Sequence, residues 1–389
     1  MSTLPVLLAQ DHSYLGPLED VQSPATVSLA MGDLLCVPLL MERSLVLPFE
    51  RVALSLPDRH FLPFLLSSSP ALFFVLAPGT SIGREHVGSF VQLTSRSEER
   101  RFGRTLCTCI GVCRAAFQSL GQQPSSGLLL ATARVIDDPL LGDAVPAELR
   151  RGRGHVPKRC FSGLDAGRQA ARVKDLLRAS RHPPVALGLL EEASPSVLAW
   201  RALRALPLDD DTRKGLFCAP SICALLARLA RVLEVSSRAP AIALTCGGCS
   251  TVVVRDTSSA LANPFAARSS VGSEDHATSH VFVNPVGVSF RIFTCKKLAD
   301  EGAEGAGACC SVEGPPVLEF SWFPNYAWQA LVCASCDYHL GWKYSAASTA
   351  QVPQFFYGLR AEAVAYHAVT SEGALLGALA SEGGADDEG

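Results

Sequence analysis

The chain lacks an excess of charge of either sign. Its 34 Lys+Arg stand against 37 Asp+Glu, for a net charge of −3 over 389 residues. A nucleic-acid binder concentrates basic charge, so that class of partner is disfavoured. No hydrophobic run is long either. The most apolar window, Phe61 to Leu76, is interrupted by Pro63, Pro70 and Ser67-Ser68-Ser69. It falls short of the ~20 residues a bilayer span needs, and predicts a buried helix or a strand pair rather than a membrane crossing. The first residues, Met-Ser-Thr-Leu-Pro-Val-Leu-Leu-Ala, have no basic stretch ahead of a long apolar one, so a secretory signal is not expected. The expected location is cytoplasmic or nuclear, where paired cysteines mean metal more often than disulfide. No G-x-x-x-x-G-K-[ST] loop occurs, which excludes a P-loop ATPase. Aromatics are sparse, 7% of the chain, with only four Trp.

What is present is enough to fold. Apolar residues make up 48%, sufficient for real cores, and the length suggests two or three domains. Residues 1–33 are polar and Pro/Ser-containing and read as a loose leader. From Leu34 come short apolar runs: Leu34–Leu40, Leu45–Pro48, Val52–Leu56, Leu72–Leu76, Phe90–Leu93, Leu106–Val112 and Leu128–Val135. Bounded by Pro, Gly, Ser and charge, they predict strands of a small barrel or sandwich. Cys107, Cys109 and Cys113 fall in these runs and read as buried strand thiols. The basic run from Arg150-Arg151-Gly152-Arg153 to Lys158-Arg159 reads as a solvated loop, with a nuclear-localisation or phosphate patch as the other reading.

Helices follow. Ser194 or Ser196 can cap a segment carrying Val197, Trp200, Leu203 and Leu206, stopped by Pro207. Acidic Asp209-Asp210-Asp211 suits a second helix start. Ile222, Leu225, Leu226, Leu229, Val232 and Leu233 then lie on one helical face, with Arg228 and Arg231 off it. Ser236 to Pro240 reads as a hinge. Residues 241–365 alternate strand signals with loops, the Gly/Ala/Glu-rich one from Lys296 to Pro316 expected to be mobile. The last residues, ending Ala-Asp-Asp-Glu-Gly, read as a disordered acidic tail.

Of the fourteen Cys, two pairs have C-x-x-C spacing: Cys246-Gly-Gly-Cys249 and Cys333-Ala-Ser-Cys336. A two-residue gap lets a tight turn aim both sulfurs at one ion, and two such turns complete a tetrahedral four-thiolate zinc site. Four protein ligands leave no open position, so the metal would be structural. The 83 intervening residues make it a clasp between distant hairpins. A redox dithiol and a coincidence of spacing are the other readings. His339 could be a ligand but reads as an ordinary strand histidine.

Three of the four Trp, Trp322, Trp328 and Trp342, fall within 21 residues. Strand alternation puts Tyr338, Leu340, Trp342 and Tyr344 on one face, and Tyr326 with Trp328 on another strand. Around a pinned Cys333–Cys336 knuckle the indoles can form a box that binds a flat or rounded group by stacking and cation–π contact. A small-domain core and a methylated-lysine reader are the alternatives.

Ser321-Trp322-Phe323-Pro324-x-Tyr326-Ala327-Trp328, followed by Cys333-x-x-Cys336-x-x-His339-x-Gly341-Trp342-Lys343-Tyr344, resembles the thalidomide-binding (CULT) domain of the cereblon family. Val283-Asn284-Pro285-x-Gly287 and Gln354-Phe355-Phe356-Tyr357-Gly358-Leu359 match two further segments of that domain. Leu34 to Val135 resembles the N-terminal domain of Lon proteases, and the helices around Leu206-Pro207-Leu208-Asp209 resemble its helical end. The resemblance covers most of residues 34–365. It is tightest over 320–344 and weak over 136–195.

The resemblance implies a multidomain α+β fold. A Lon N-terminal-like β domain with a helical region (34–237, helices about 165–235) precedes a zinc-bound all-β CULT domain of β-tent type (241–366). A leader (1–33) and a disordered acidic tail (367–389) flank them. It further implies a non-catalytic substrate receptor of a cullin–RING ubiquitin ligase. Such a receptor holds the ligase adaptor through its helical region and binds C-terminal cyclic imides and glutarimide drugs. Trp322, Trp328 and Trp342 would be the walls of the pocket and Tyr344 its floor. Phe320 and Ser321 would offer backbone groups, Asn284 and Pro285 would face the ligand, and Cys246, Cys249, Cys333 and Cys336 would hold one zinc. One departure is Phe320, where the family has His. A stand-alone binder of small ligands or methylammonium groups is one rival. The other is an enzyme like B-type methionine-sulfoxide reductases, with Cys295 as a thiol activated by Arg291.

Overall fold

The computed structural model describes residues 13–15, 17–21, 27, 29–82, 84–136, 165–179, 189–206, 208–238, 241–257, 279–299, 308–369 and 375–378. The basic run Arg150 to Arg159 lies outside the described residues.

The first half is a β domain of eight strands: β1 (Leu18–Asp20), β2 (Leu34–Met41), β3 (Arg51–Pro57), β4 (Leu72–Leu76), β5 (Ser81–Ile82), β6 (Glu85–Arg101), β7 (Arg104–Gln122) and β8 (Leu129–Val135). Their order is β1-β6-β4-β2-β8-β7-β3, and β6 also pairs with β7. That extra pairing closes β6, β4, β2, β8 and β7 into a small barrel, and β4 is apolar on both faces, Phe73 and Val75 packing in one core and Leu72 and Phe74 in another. Cys107, Cys109 and Cys113 are buried in β7, as expected, and burial pushes the Cys107 thiol up to about 12. The window Phe61 to Leu76 holds a buried helix, Phe61–Leu66, followed by the single strand β4 and not a strand pair. Leu45–Pro48 is buried but is not a strand. Phe49 turns the chain at φ 62, and Leu47 N–H donates to the Glu50 carboxylate instead of to a neighbouring strand.

Among the described residues four helices follow: Ala166–Arg178, Pro195–Ala205, Asp210–Phe217 and Ile222–Arg238. Of the two serines, Ser194 is the cap, accepting from Val197 N–H, and Asp209 caps the next helix through Thr212 N–H at 2.7 Å. Each side-chain oxygen satisfies one orphan donor of a first helical turn. Ile222, Leu225, Leu226, Leu229 and Leu233 are buried together, so the apolar face seals the helices against one core. The last helix runs to Arg238, through most of the expected hinge.

The second half is all β: β9 (Ala241–Cys246), β10 (Val252–Val254), β11 (Ser279–Val283), β12 (Ser289–Cys295), β13 (Cys310–Val317), β14 (Tyr326–Cys333), β15 (His339–Ala346), β16 (Phe355–Arg360), β17 (Val364–Val369) and β18 (Leu375–Ala378). A four-stranded sheet (β10-β9-β17-β18) packs against a six-stranded antiparallel sheet (β11-β12-β16-β15-β14-β13). The mostly-β multidomain α+β class expected from the sequence is therefore present.

The structure corrects several expectations. The leader is not loose at residues 14, 15 and 18–20: β1 pairs with β6, and Leu15 and the Tyr14 ring pack between the two halves. The loop expected from Lys296 to Pro316 contains most of β13, and residues 300–307 lie outside the described residues. The tail contains β18, paired with β17 through His367↔Ala378 and Val369↔Leu375. Residues 367–369 end β17, and residues 370–374 and 379–389 lie outside the described residues.

Leu340 is the most informative correction. It does not share the face of Trp342 and Tyr344. It packs with Leu331, Cys333 and Leu359 on the side of the sheet that meets the four-stranded sheet. The register of β14 and β15 shifts between Leu331↔Gly341 and Val332↔His339, so one extra residue on β15 flips the alternation. Gly341 permits it, because a Cβ there would lie 1.9 Å from the Gly358 carbonyl oxygen. Gly341→Ala is expected to destabilise the second half by about 1–3 kcal/mol, the usual cost of overpacking. Urea unfolding followed by Trp fluorescence measures it.

Candidate metal centre and aromatic pocket

The two C-x-x-C turns are built alike. Ser250 N–H donates to Cys246 carbonyl (2.8 Å) and Cys246 N–H to Thr251 carbonyl (2.8 Å). Asp337 N–H donates to Cys333 carbonyl (2.9 Å) and Cys333 N–H to Tyr338 carbonyl (2.9 Å). The residue after each second cysteine is left-handed, Ser250 at φ 61 and Asp337 at φ 57. Gly247 lets the first turn lie against the chain before β17. Its N–H reaches the Ala363 carbonyl at 2.9 Å, and a Cβ there would crowd that oxygen at 3.2 Å.

Together the turns bring all four sulfurs within 4.8 Å of one another, across the 83-residue gap. Cys246 Sγ lies 3.7 Å from Cys336 Sγ, and Cys249 Sγ lies 3.5 Å from Cys333 Sγ. A tetrahedron with metal–sulfur bonds of about 2.3 Å has edges of about 3.8 Å, so the donor set fits a four-thiolate ion. The Thr251 hydroxyl and backbone beside Cys249 lower its thiol to about 6, so this ligand is readily available as thiolate. His339 stands outside the cluster, as expected. Its Nε2 is 2.9 Å from Gly341 carbonyl and its Nδ1 3.0 Å from Arg360. Burial and the Arg360 charge lower its pKa.

On the opposite face of the six-stranded sheet lies the aromatic cluster. Trp328 and Tyr344 are cross-strand partners, and Trp342 sits two residues along, opposite Ala330. The loop between β13 and β14 brings Trp322 down onto this face. Its ring meets Trp342 edge-on at 4.9 Å and stacks on Phe282 at 5.2 Å, while Nε1 donates to Val283 carbonyl at 2.9 Å. Trp328 Nε1 donates to Glu319 carbonyl at 2.9 Å, tying the same loop from the other side. All three indoles are thus brought together, with Trp322 buried and Trp328 and Trp342 half-buried. Tyr344 is buried beneath them, stacked on Phe356 at 5.1 Å. Burial raises its phenol well above the ordinary value.

The loop residues have distinct surroundings. Phe320 is 51% exposed at φ 59, on the rim. Ser321 Oγ bonds within the loop, to Phe323 carbonyl at 3.0 Å. Asn284 accepts from Val288 N–H at 2.8 Å, closing the turn that carries Pro285. A cleft of about 40 Å³, room for a few waters, opens behind the box between Tyr14, Ser97, Pro285, Phe320 and Trp322. It is not the Trp box itself, although Trp322 borders both.

Phe282 and Phe290, which back Trp322 and Trp342, escaped the sequence reading. They alternate on β11 and β12 as ordinary strand residues do, and only the tertiary packing shows their task. Arg291 is not beside a reactive thiol. It is buried at 2% exposure in a bidentate pair with Glu50 (2.9 and 3.0 Å), and Cys295 Sγ donates to Lys297 carbonyl at 2.8 Å. The cation invoked to activate Cys295 is committed elsewhere.

No protein-family model matches the chain. Among curated proteins it is similar to protein cereblon from Gallus gallus, 29% identical over 171 residues, covering 44% of this chain and 33% of that protein. Protein cereblon from Xenopus tropicalis is 30% identical over 176 residues, 44% of this chain and 33% of that protein. The one from Drosophila willistoni is 41% identical over 51 residues, 13% of this chain and 8% of that protein. Over less than half of its length the chain is thus similar to cereblons. The match spans about a third of the length of these cereblons. Among solved structures, the N-terminal domain of the Mycobacterium avium complex Lon protease has a TM-score of 0.37 at 16% identity, covering 51% of this chain and 98% of that one. A Lon N-terminal domain protein from Xanthomonas campestris has a TM-score of 0.33 at 17% identity, covering 50% and 96%. Likeness at that level has no bearing on function. No helix among the described residues is long and apolar enough to cross a membrane.

Proposed function

We propose that this chain is a non-catalytic substrate receptor of a cullin–RING ubiquitin ligase. It would bind cyclic imides, at protein C-termini or in glutarimide compounds, in the box of Trp322, Trp328 and Trp342. The observation that carries this reading is the convergence of three indoles on one sheet face, under a loop pinned by both Trp322 and Trp328 nitrogens. Flat apolar walls suit the ring of an imide, and the backbone of Phe320 and Ser321 would meet its polar edge. Asn284 and Pro285 would border the ligand from the neighbouring turn. Structural zinc held by Cys246, Cys249, Cys333 and Cys336 would fix β14 and β15, which carry two of the walls. The ion supplies folding energy rather than chemistry. A cytoplasmic or nuclear location belongs to the same reading.

Titration with a glutarimide, followed by tryptophan fluorescence, is expected to show saturable quenching that Trp328→Ala abolishes. Absence of quenching at millimolar ligand sinks the reading. Phe320 cannot supply a side-chain hydrogen bond, which is worth about 0.5–1.5 kcal/mol. Phe320→His is therefore expected to tighten binding roughly two- to twelve-fold.

The adaptor of the ligase would be held through the helical region. Affinity purification of the full-length chain is expected to recover a cullin adaptor, and a chain lacking residues 136–235 is expected to lose it. Recovery of no adaptor by the full-length chain leaves a stand-alone imide-binding protein.

A further inference from the structure

Cys310 is a cysteine that the metal site leaves out, yet it stands directly across from one of that site's ligands. It opens β13, the edge strand of the six-stranded sheet, and its register partner on β14 is Cys333. The next rung fixes the kind of pairing. Ala334 N–H donates to Cys309 carbonyl at 3.1 Å, so 309 and 334 form the hydrogen-bonded pair. Hydrogen-bonded and non-hydrogen-bonded pairs alternate along an antiparallel ladder, so Cys310 and Cys333 are a non-hydrogen-bonded pair. Consistently, Cys333 N–H turns the other way, to Tyr338 carbonyl. In such pairs the Cα atoms approach to about 4.5 Å and side chains are closest. That distance lies inside the range of about 4.4–6.8 Å spanned by disulfides. Both thiols face the same side, since Cys310 packs against the buried cluster that contains Cys333 and Cys246.

We propose that Cys310 is a resolving cysteine for the metal centre, able to take Cys333 out of the ligand set as a cross-strand disulfide under hydroperoxide. The proposal rests on the zinc reading of the four cysteines. In the first step the peroxide O–O bond breaks. One oxygen goes to Cys333 sulfur, giving a sulfenic acid, and the other leaves as water or alcohol. In the second step Cys310 sulfur attacks that sulfur, the S–O bond breaks, and water leaves with the thiol proton. A disulfide sulfur is no longer a thiolate ligand, so only three thiolates would remain to hold the ion. A small dithiol returns two electrons and two protons and restores both thiols. The rival bond, Cys249 to Cys333, starts from sulfurs 3.5 Å apart but must draw two separate turns together. Cys310 and Cys333 already share a register set by the sheet.

The test uses the full-length chain, with zinc measured before treatment. After graded hydrogen peroxide, free thiols are alkylated and chymotryptic fragments are mapped by mass. Wild type is expected to release its zinc in step with a Cys310–Cys333 linked fragment, and to regain the ion after dithiothreitol and zinc. Cys310→Ser is expected to lose that recovery, as Cys333 passes on to irreversible acids. Cys309, whose thiol neighbours Cys310 as well as Val253 carbonyl at 4.0 Å, is the nearer competitor, so a Cys309–Cys310 linked fragment in wild type, or a Cys309→Ser variant that loses recovery, also overturns the proposal. A map showing Cys333 linked to Cys249 instead, or equal recovery in wild type and Cys310→Ser, overturns the proposal. A chain without about one equivalent of zinc before treatment overturns the metal reading on which it rests.

Discussion

Stripping the metal with a strong chelator is expected to unfold the second half of the chain and abolish imide binding, with readdition of zinc restoring both. Structural zinc contributes roughly 10–16 kcal/mol in small zinc-held domains at neutral pH. A whole domain is commonly stable by only about 5–15 kcal/mol, so the ion outweighs the margin. The geometry explains why the loss would propagate. Cys246 ends β9 of one sheet and Cys333 ends β14 of the other, so the ion would clasp the open end of the two-sheet stack. Beyond that clasp β14 and β15 carry Trp328 and Trp342. Cys333→Ser is expected to mimic the chelator, since Cys333 is fully buried and a hydroxyl is a poor zinc ligand. Circular dichroism in the aromatic range, with metal content in the same samples, gives the result. A chain that keeps its aromatic signal after complete metal removal would show that the cores alone hold it. Acid should act in the chelator's direction, because every ligand must be deprotonated to bind.

Breaking the Glu50–Arg291 pair should cost about 3–5 kcal/mol, because either single change leaves an unpaired charge in a dry interface. Glu50 precedes β3 of the first half and Arg291 lies in β12 of the second, each 2% exposed. Arg291 also donates to Leu45 carbonyl at 3.0 Å. Glu50→Gln and Arg291→Met are each expected to lower the urea midpoint, while the double change recovers much of the loss. Additive losses in the double variant would show that the two residues act separately. Burial alone would raise the Glu50 carboxyl, but the Arg291 charge and hydrogen bond outweigh it and hold its pKa below the ordinary carboxylate range. The sign follows. The pair stabilises the fold above the ordinary glutamate pKa of about 4.3, and this contribution fades as pH falls through and below that value.

These two predictions differ in how much of their basis the sequence carried. The four zinc-type cysteines were legible from spacing, because a C-x-x-C turn is local and its two sulfurs point one way whatever surrounds them. The three indoles were legible as a concentration in sequence, and the helical stripe from Ile222 to Leu233 as a period. Their surroundings were not. Phe282 and Phe290 back the box from strands remote in sequence, and nothing in a short window distinguishes them from any other strand phenylalanine. Leu340 was placed on the wrong face because simple alternation cannot foresee an inserted residue. Gly341 belongs to the sequence motif, yet its packing against Gly358 is a relation between two strands.

Arg291 shows the same boundary. In sequence it is a cation four residues from a thiol, and that proximity suggested an activated nucleophile. In the fold it turns to Glu50, 241 residues away, and holds the two halves together. Tyr14, in a segment with the composition of a loose leader, is packed between them and meets Val283 N–H through its hydroxyl. What the sequence determined alone were the features set by near neighbours: turns, caps, helical faces and the chemistry of the donor set. Which strand lies beside which, which face a side chain takes after a bulge, and whether a charge is free or paired depend on residues far along the chain. Those were decided by tertiary packing, where burial makes the nearest partner in space count for more than the nearest in sequence.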